Sequence, residues 1–135
     1  MKEIRWREAF SVGVRELDDQ HRELIELLAE LARLQREGEG QAHISAALTR
    51  LVDYIAEHFA AEESYMVRFS CADLRAHREE HRAFIRKILD FRKDYLEGRE
   101  TLGEELIAFL MQWLEGHILG TDQGYRECFR ENGLG

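Results

Sequence analysis

Residues 74–95 read LRAHREEHRAFIRKILDFRKDY, and the spacing within this stretch decides the fold. Leu74, His77, His81, Phe84, Ile88, Phe91 and Tyr95 recur at alternating intervals of three and four, the period of one helical face. Ser70 and Asp73 before it resemble a capping box, and Gly98 closes it. Working outward, the same period appears three more times. A helix is predicted from Asp18 to Arg36 with Leu17, His21, Leu24, Leu28 and Leu31 inward, ending at the capping glycines Gly38 and Gly40. Another runs from Gln41 to Phe69 on Ile44, Leu48, Leu51, Ile55, His58, Glu62, Tyr65 and Phe69. The last starts at Thr101, with Glu104 three residues on, and carries Leu102, Leu106, Leu110, Trp113 and His117 up to Gly120.

Residues 1–16 hold Trp6, Phe10, Val12 and Val14 interrupted by Ser11 and Gly13, which predicts an extended arm lying on the body. A short tail is expected from Thr121 to Gly135. The expectation is therefore an all-α chain: an antiparallel up-down-up-down four-helix bundle with an extended N-terminal arm and a short C-terminal tail, one domain over residues 1–135. The absence of proline suits uninterrupted helices.

Composition narrows the function. Asp and Glu total 27 against 19 Lys and Arg, a net charge of −8 that disfavours nucleic acid and anionic lipid as partners. Apolar runs such as Ile107–Met111 fall far short of the roughly 20 residues of a membrane span, so no membrane insertion is expected. Met1-Lys2-Glu3-Ile4-Arg5 leads into a polar segment without an apolar signal core, which makes the cytoplasm the expected location. Two cysteines, Cys71 and Cys128, are too few for a disulfide scaffold, and reduced thiols are the default expectation, with a redox role at their shared end of the bundle as the alternative.

The apolar stripes break their own rule at one level. His21, His58, Glu62, His77, His81 and His117 occupy inward positions on all four helices, and buried polar groups need partners. In an up-down-up-down bundle the start of one helix and the end of the next lie together, so these side chains converge on one end. His58 and Glu62 are four apart, as are His77 and His81, and each pair shares one helical face. Asp122, five residues after His117 and just past Gly120, can swing a carboxylate over that end. Imidazole with carboxylate suits iron, zinc, copper or nickel, and bundle cores hold such sites between facing helices. Five histidines and two carboxylates are too many for one metal. If two metals share both carboxylates and one solvent oxygen, three histidines complete six ligands and two leave a vacancy. Glu63, beside Glu62, is read as either an exposed carboxylate or one behind the site that orients a ligand imidazole. Leu24, Phe59, Met66, Trp113, Leu114, Ile118 and Leu119 are read as packing that also walls a pocket, Tyr125 as a hydrogen-bonding or packing residue, and His43 as a solvated residue away from the site.

Taken together, Trp6, Phe10, Val12-Gly13-Val14, Asp18-Asp19-Gln20-His21, His58-Phe59-Ala60-Ala61-Glu62-Glu63 with Met66, His77-Arg78-Glu79-Glu80-His81 with Phe84, and Trp113-Leu114-Glu115-Gly116-His117-Ile118 with Asp122 resemble the hemerythrins, specifically the single-domain bacterial hemerythrins. The resemblance covers essentially the whole chain. It implies two iron ions joined by an oxo or hydroxo bridge, with His77, His81 and His117 on the saturated iron, His21 and His58 on the open one, and Glu62 and Asp122 bridging. It implies reversible dioxygen binding at the open iron, for storage, transport or sensing, with an unidentified oxygen-consuming client protein as a further partner. The alternative is a di-iron enzyme resembling a peroxidase, nitric-oxide reductase or ferroxidase. Five neutral imidazoles against two carboxylates supply less negative charge than carboxylate-rich di-iron sites, which favours binding over turnover. One departure stands out: members often carry Tyr-Pro before the third helix, where this chain has Phe69-Ser70-Cys71.

Overall fold

The computed structural model describes residues 5–38, 40–97 and 102–135. Four helices, α1 (Arg15–Arg36), α2 (Gln41–Arg68), α3 (Leu74–Leu96) and α4 (Leu102–Gly116), form the expected bundle. Each packs on two neighbours, so the four close into a ring around one core. The expected helix end at Gly98 and start at Thr101 lie outside the described residues, as does the segment Met1–Ile4.

Local chemistry sets the boundaries. α1 starts three residues before the expected Asp18, because the Asp18 carboxylate reaches back to the arm. It accepts the Val12 N–H at 2.8 Å and the Ser11 hydroxyl at 2.6 Å. The arm is extended as expected apart from one 3-10 turn at Glu8–Phe10, and it buries Phe10, Val12 and Val14. Gly38 follows α1 with φ +70°, the left-handed conformation that glycine adopts at little cost. The capping box expected at Ser70 and Asp73 does not form. Ser70 instead takes the left-handed conformation (φ +53°) and closes α2: its N–H donates to the Val67 carbonyl at 3.2 Å and the Cys71 N–H donates to Met66 at 2.9 Å.

The expected C-terminal tail is helical. The chain continues from α4 through a π-helical turn, His117–Thr121, into a fifth helix, α5 (Gln123–Glu131). Tyr125 and Phe129, four residues apart, bury one face of α5 beneath the α2–α3 turn. The cysteines are a correction: instead of the expected reduced thiols, Cys71 and Cys128 form a disulfide across 57 residues of sequence, with Cα atoms 6.0 Å apart. Folding the tail as a helix is what carries Cys128 under the turn that holds Cys71.

The core is divided, and the division positions the site. A large apolar cluster fills the bundle, and a smaller one, including Val12, Leu17, Met66, Tyr125 and Phe129, lies beneath α5. On α1, Leu17 belongs to the small cluster, Leu24 to the large, and His21 lies between. On α2, Glu62 lies between Phe59 and Met66 in the same way. One polar layer is thus sandwiched between two dry ones.

Candidate metal centre

The polar layer contains His21, His58, Glu62, His77, His81, His117 and Asp122, none more than 3% exposed. The structure brings all seven sequence-predicted residues together. Their donor atoms fall into two groups, each with all members within 4.8 Å of one another: Glu62, His77, His81, His117 and Asp122 in one, and His21, His58, Glu62 and Asp122 in the other. The two carboxylates belong to both groups. Three histidines stand on one side and two on the other.

The π-helical turn places Asp122. In a regular α-helix, residues five apart point roughly 140° away from each other, at 3.6 residues per turn. Here the Asp122 N–H donates to the His117 carbonyl at 2.8 Å, widening the turn by one residue and stacking both side chains on the inner face. Asp122 Oδ1 then lies 2.9 Å from His117 Nε2 and 3.1 Å from His77 Nε2, while Oδ2 lies 3.3 Å from His21 Nε2. Glu62 is placed by the regular period of α2: Oε1 lies 3.0 Å from His58 Nε2 and 3.5 Å from His81 Nε2, and Oε2 lies 3.7 Å from His77 Nε2.

The outer ring nitrogens fix the tautomers. His81 Nδ1 is 2.9 Å from Glu63 Oε2, His117 Nδ1 is 2.7 Å from Glu80 Oε1, and His58 Nδ1 is 2.6 Å from Gln20 Oε1. All three partners are oxygen acceptors, so the ring N–H points outward and Nε2 presents a lone pair inward. Stacked rings brace the imidazoles: Phe59 on His81 with centroids 3.6 Å apart, and Trp113 on His117 at 4.2 Å.

This donor set fits a metal pair. The Nε2 atoms of His81 and His117 face each other at 3.1 Å, and two lone pairs at that distance require a positive charge between or beside them. The ring nitrogens of His21, His77 Nε2, and all four oxygens of Glu62 and Asp122 are buried without a hydrogen-bond partner among the described residues, despite the short distances. Orphaned buried acceptors in such numbers are costly unless a cation satisfies them. In the metal-free chain protons perform that service. Burial opposes a charge on His77, but Asp122 and Glu62 outweigh it and raise the imidazole to about 10. Burial likewise opposes a charge on His117, and Asp122 raises it. Burial pushes Asp122 up, but His117, His21 and His77 hold its carboxyl well below the usual range. Burial and the Asp122 charge push Glu62 up, and the imidazoles of His58 and His77 more than offset them. At His81 burial, helped by the neighbouring His77 and His117 charges, outweighs Glu62 and Glu63 and lowers it to about 4. Metal entering this layer displaces protons.

Several contributors escape the sequence pattern. Gln20, Glu80 and Thr121 sit off the apolar stripes and act from behind the imidazoles, with the Thr121 hydroxyl donating to Glu80 at 2.9 and 3.0 Å. Tyr125, with a buried hydroxyl lacking a partner, stands beside the His77 ring; burial, then the nearby Glu62 and Asp122 charges, raises its phenol well above 10. Of the pocket candidates, Leu24, Phe59, Met66, Leu114 and Ile118 are buried and Trp113 is half-buried, whereas Leu119 faces solvent. Exposed His43 takes no part in either donor group.

Comparison with known proteins agrees with this geometry. Residues 12–128 match the family model described as the hemerythrin HHE cation binding domain. A bacteriohemerythrin of Pseudomonas aeruginosa is 33% identical over 132 residues, 98% of this chain and 85% of that protein. A hemerythrin-like protein of Naegleria gruberi is 32% identical over 121 residues, covering 90% of this chain and 89% of its own. The crystal structure of a wild-type hemerythrin superposes with a TM-score of 0.86 at 29% identity, covering 94% of this chain and 98% of that one.

Proposed function

The chain belongs to the hemerythrin family, and from that premise we propose that its buried polar layer holds two iron ions and binds dioxygen reversibly. His77, His81 and His117 would hold one iron, His21 and His58 the other, with Glu62 and Asp122 shared. The observation that carries this reading is the sharing itself: both carboxylates belong to both donor groups, and one group is a histidine short. That shortfall is where a small ligand finds room. When bound, the ferrous pair supplies two electrons to dioxygen and recovers them on release.

The chain's own residues do the rest. The carboxylates and imidazoles are held by four helices and a π-helical turn. The apolar clusters on either side keep water and protons from the layer, which favours release of dioxygen unchanged. Tyr125 closes the α5 side with its hydroxyl facing the carboxylates. In this reading the chain is an oxygen-binding protein for storage, transport or sensing rather than an enzyme, consistent with five imidazoles against two carboxylates. An oxygen-consuming client remains part of the proposal, as does a cytoplasmic location, where the Cys71–Cys128 bond would form only under oxidising conditions. Among the described residues no helix is long and apolar enough to cross a membrane.

The test is anaerobic loading with ferrous iron, metal analysis, and optical spectra through cycles of oxygenation and degassing. Two irons per chain and a charge-transfer band that appears and vanishes reversibly are expected. Irreversible bleaching refutes carriage. His77→Ala is expected to lower iron content and His43→Ala to leave it unchanged; equal effects overturn the ligand assignment.

A further inference from the structure

The two sides of the polar layer are backed by groups of different charge. On the three-histidine side, carboxylates stand behind two of the rings: Glu63 behind His81 at 2.9 Å and Glu80 behind His117 at 2.7 Å. On the two-histidine side, a neutral amide, Gln20, stands behind His58 at 2.6 Å, and no carboxylate among the described residues hydrogen-bonds His21 Nδ1. The carboxylates are themselves fixed, Glu63 by Arg78 Nε at 3.1 Å and Glu80 by the Thr121 hydroxyl. The amide keeps its neutrality whichever way it is turned, so the contrast does not depend on its orientation.

An imidazole that donates its outer N–H to a carboxylate becomes a stronger electron donor at its inner nitrogen. A hydrogen bond to a charged acceptor is also roughly twice as strong as one to a neutral acceptor. His81 and His117 therefore push more electron density inward than His58 and His21 do. A ferric ion gains more from such donation than a ferrous one, because it carries the higher charge.

We propose that Glu63 and Glu80 are positioning residues that bias the metal pair electronically. They make the three-histidine side the preferred home of the ferric state, and Gln20 leaves the two-histidine side easier to keep ferrous. The iron with the vacancy then stays in the oxidation state that binds dioxygen, while its neighbour is the first to give up an electron. This rests on the di-iron reading above and adds to it a division of labour between the two irons.

The test uses the iron-loaded full chain and its Glu63→Gln, Glu80→Gln and Gln20→Glu variants. Each is poised with ferricyanide and ferrocyanide, so that every iron oxidised from ferrous to ferric reduces one ferricyanide. The readouts are the iron content per chain and the ferrous-to-ferric ratio at fixed poise. Glu63→Gln and Glu80→Gln are expected to keep two irons and to shift that ratio toward ferrous by roughly tenfold, the low end of effects from groups behind metal ligands. Gln20→Glu, which adds a carboxylate behind His58, is expected to shift it toward ferric. A structural role alone moves iron content and leaves the ratio in place. Two irons retained with an unshifted ratio, or all three variants shifting it the same way, overturns the inference and leaves the di-iron reading standing. Should the Gln variants lose iron, Gln20→Glu decides alone: a ferric shift upholds the inference and no shift overturns it. Failure of the unaltered chain to take up two irons overturns the underlying reading instead, and this inference with it.

Discussion

Opening the Cys71–Cys128 bond should destabilise the chain by about 4 kcal/mol. The bond closes a loop spanning 57 residues, and a cross-link of that length removes roughly 14 cal/mol/K of chain entropy from the unfolded state. At 25 °C that corresponds to about 4 kcal/mol. Unfolding of a chain of 135 residues carries roughly 2.1 cal/mol/K per residue, so the expected fall in melting temperature is roughly 15 °C. The effect is not confined to the unfolded state. The bond ties α5 to the α2–α3 turn, and α5 starts one residue after Asp122. Reduction should therefore also speed iron loss to a chelator. The assay is thermal unfolding by far-ultraviolet circular dichroism on the purified, air-oxidised, metal-free chain, with and without a phosphine reductant. A Cys71→Ala/Cys128→Ala double variant shows what the reductant does apart from this bond. Alanine is preferred to serine because Cys71 lies in an apolar cluster. A shift under about 4 °C, roughly a quarter of the expected fall, refutes the entropic argument. Two free thiols in the unreduced, denatured chain refute the bond itself.

The metal-free chain should lose stability on both sides of neutrality. His81, lowered to about 4, stays neutral in the fold while the unfolded chain protonates it below 6.5, and Glu62, depressed from 4.5, gives stability that disappears as pH falls through its folded value. On the alkaline side, His77 contributes fully below 6.5 and loses that contribution as pH rises toward about 10. Urea midpoints measured across this range should form a dome, and a flat alkaline limb contradicts the assignment. Leu48→Ala, at a fully buried position of the large cluster, should cost about 2–5 kcal/mol in urea unfolding without changing iron content at saturation. Asp18→Ala removes the acceptor for Ser11 and the Val12 N–H, for about 1–2 kcal/mol. Limited proteolysis should then cut the arm faster than in the unaltered chain; equal rates refute the clasp.

The sequence alone determined the bundle and six of the seven residues of its polar layer. Both are periodic signals: the three-and-four spacing marks each inner face, and histidines or a carboxylate on such a face stand out because burial makes them costly. Helix direction alternates when connections are short, so convergence on one end followed without coordinates. The division of the histidines into three and two was implied by the resemblance to the hemerythrins, not by the helix ends. The tertiary structure decided what has no period to read. The π-helical turn rests on i+5 hydrogen bonding rather than on any repeat of residue types, and the Asp122 N–H to His117 carbonyl bond turns Asp122 inward beside His117. Nine residues of α5 are too few to announce a helix through their own pattern, and they fold because Tyr125 and Phe129 find a surface made by distant segments. Cys71 and Cys128 meet only once that helix is in place. The charge contrast behind the imidazoles is likewise tertiary, since Glu63, Glu80 and Gln20 lie off the stripes and find their rings across helix boundaries, between side chains 18 to 38 residues apart. Local spacing fixes which side of a helix a residue occupies, but its partners there are set by how neighbouring helices pack.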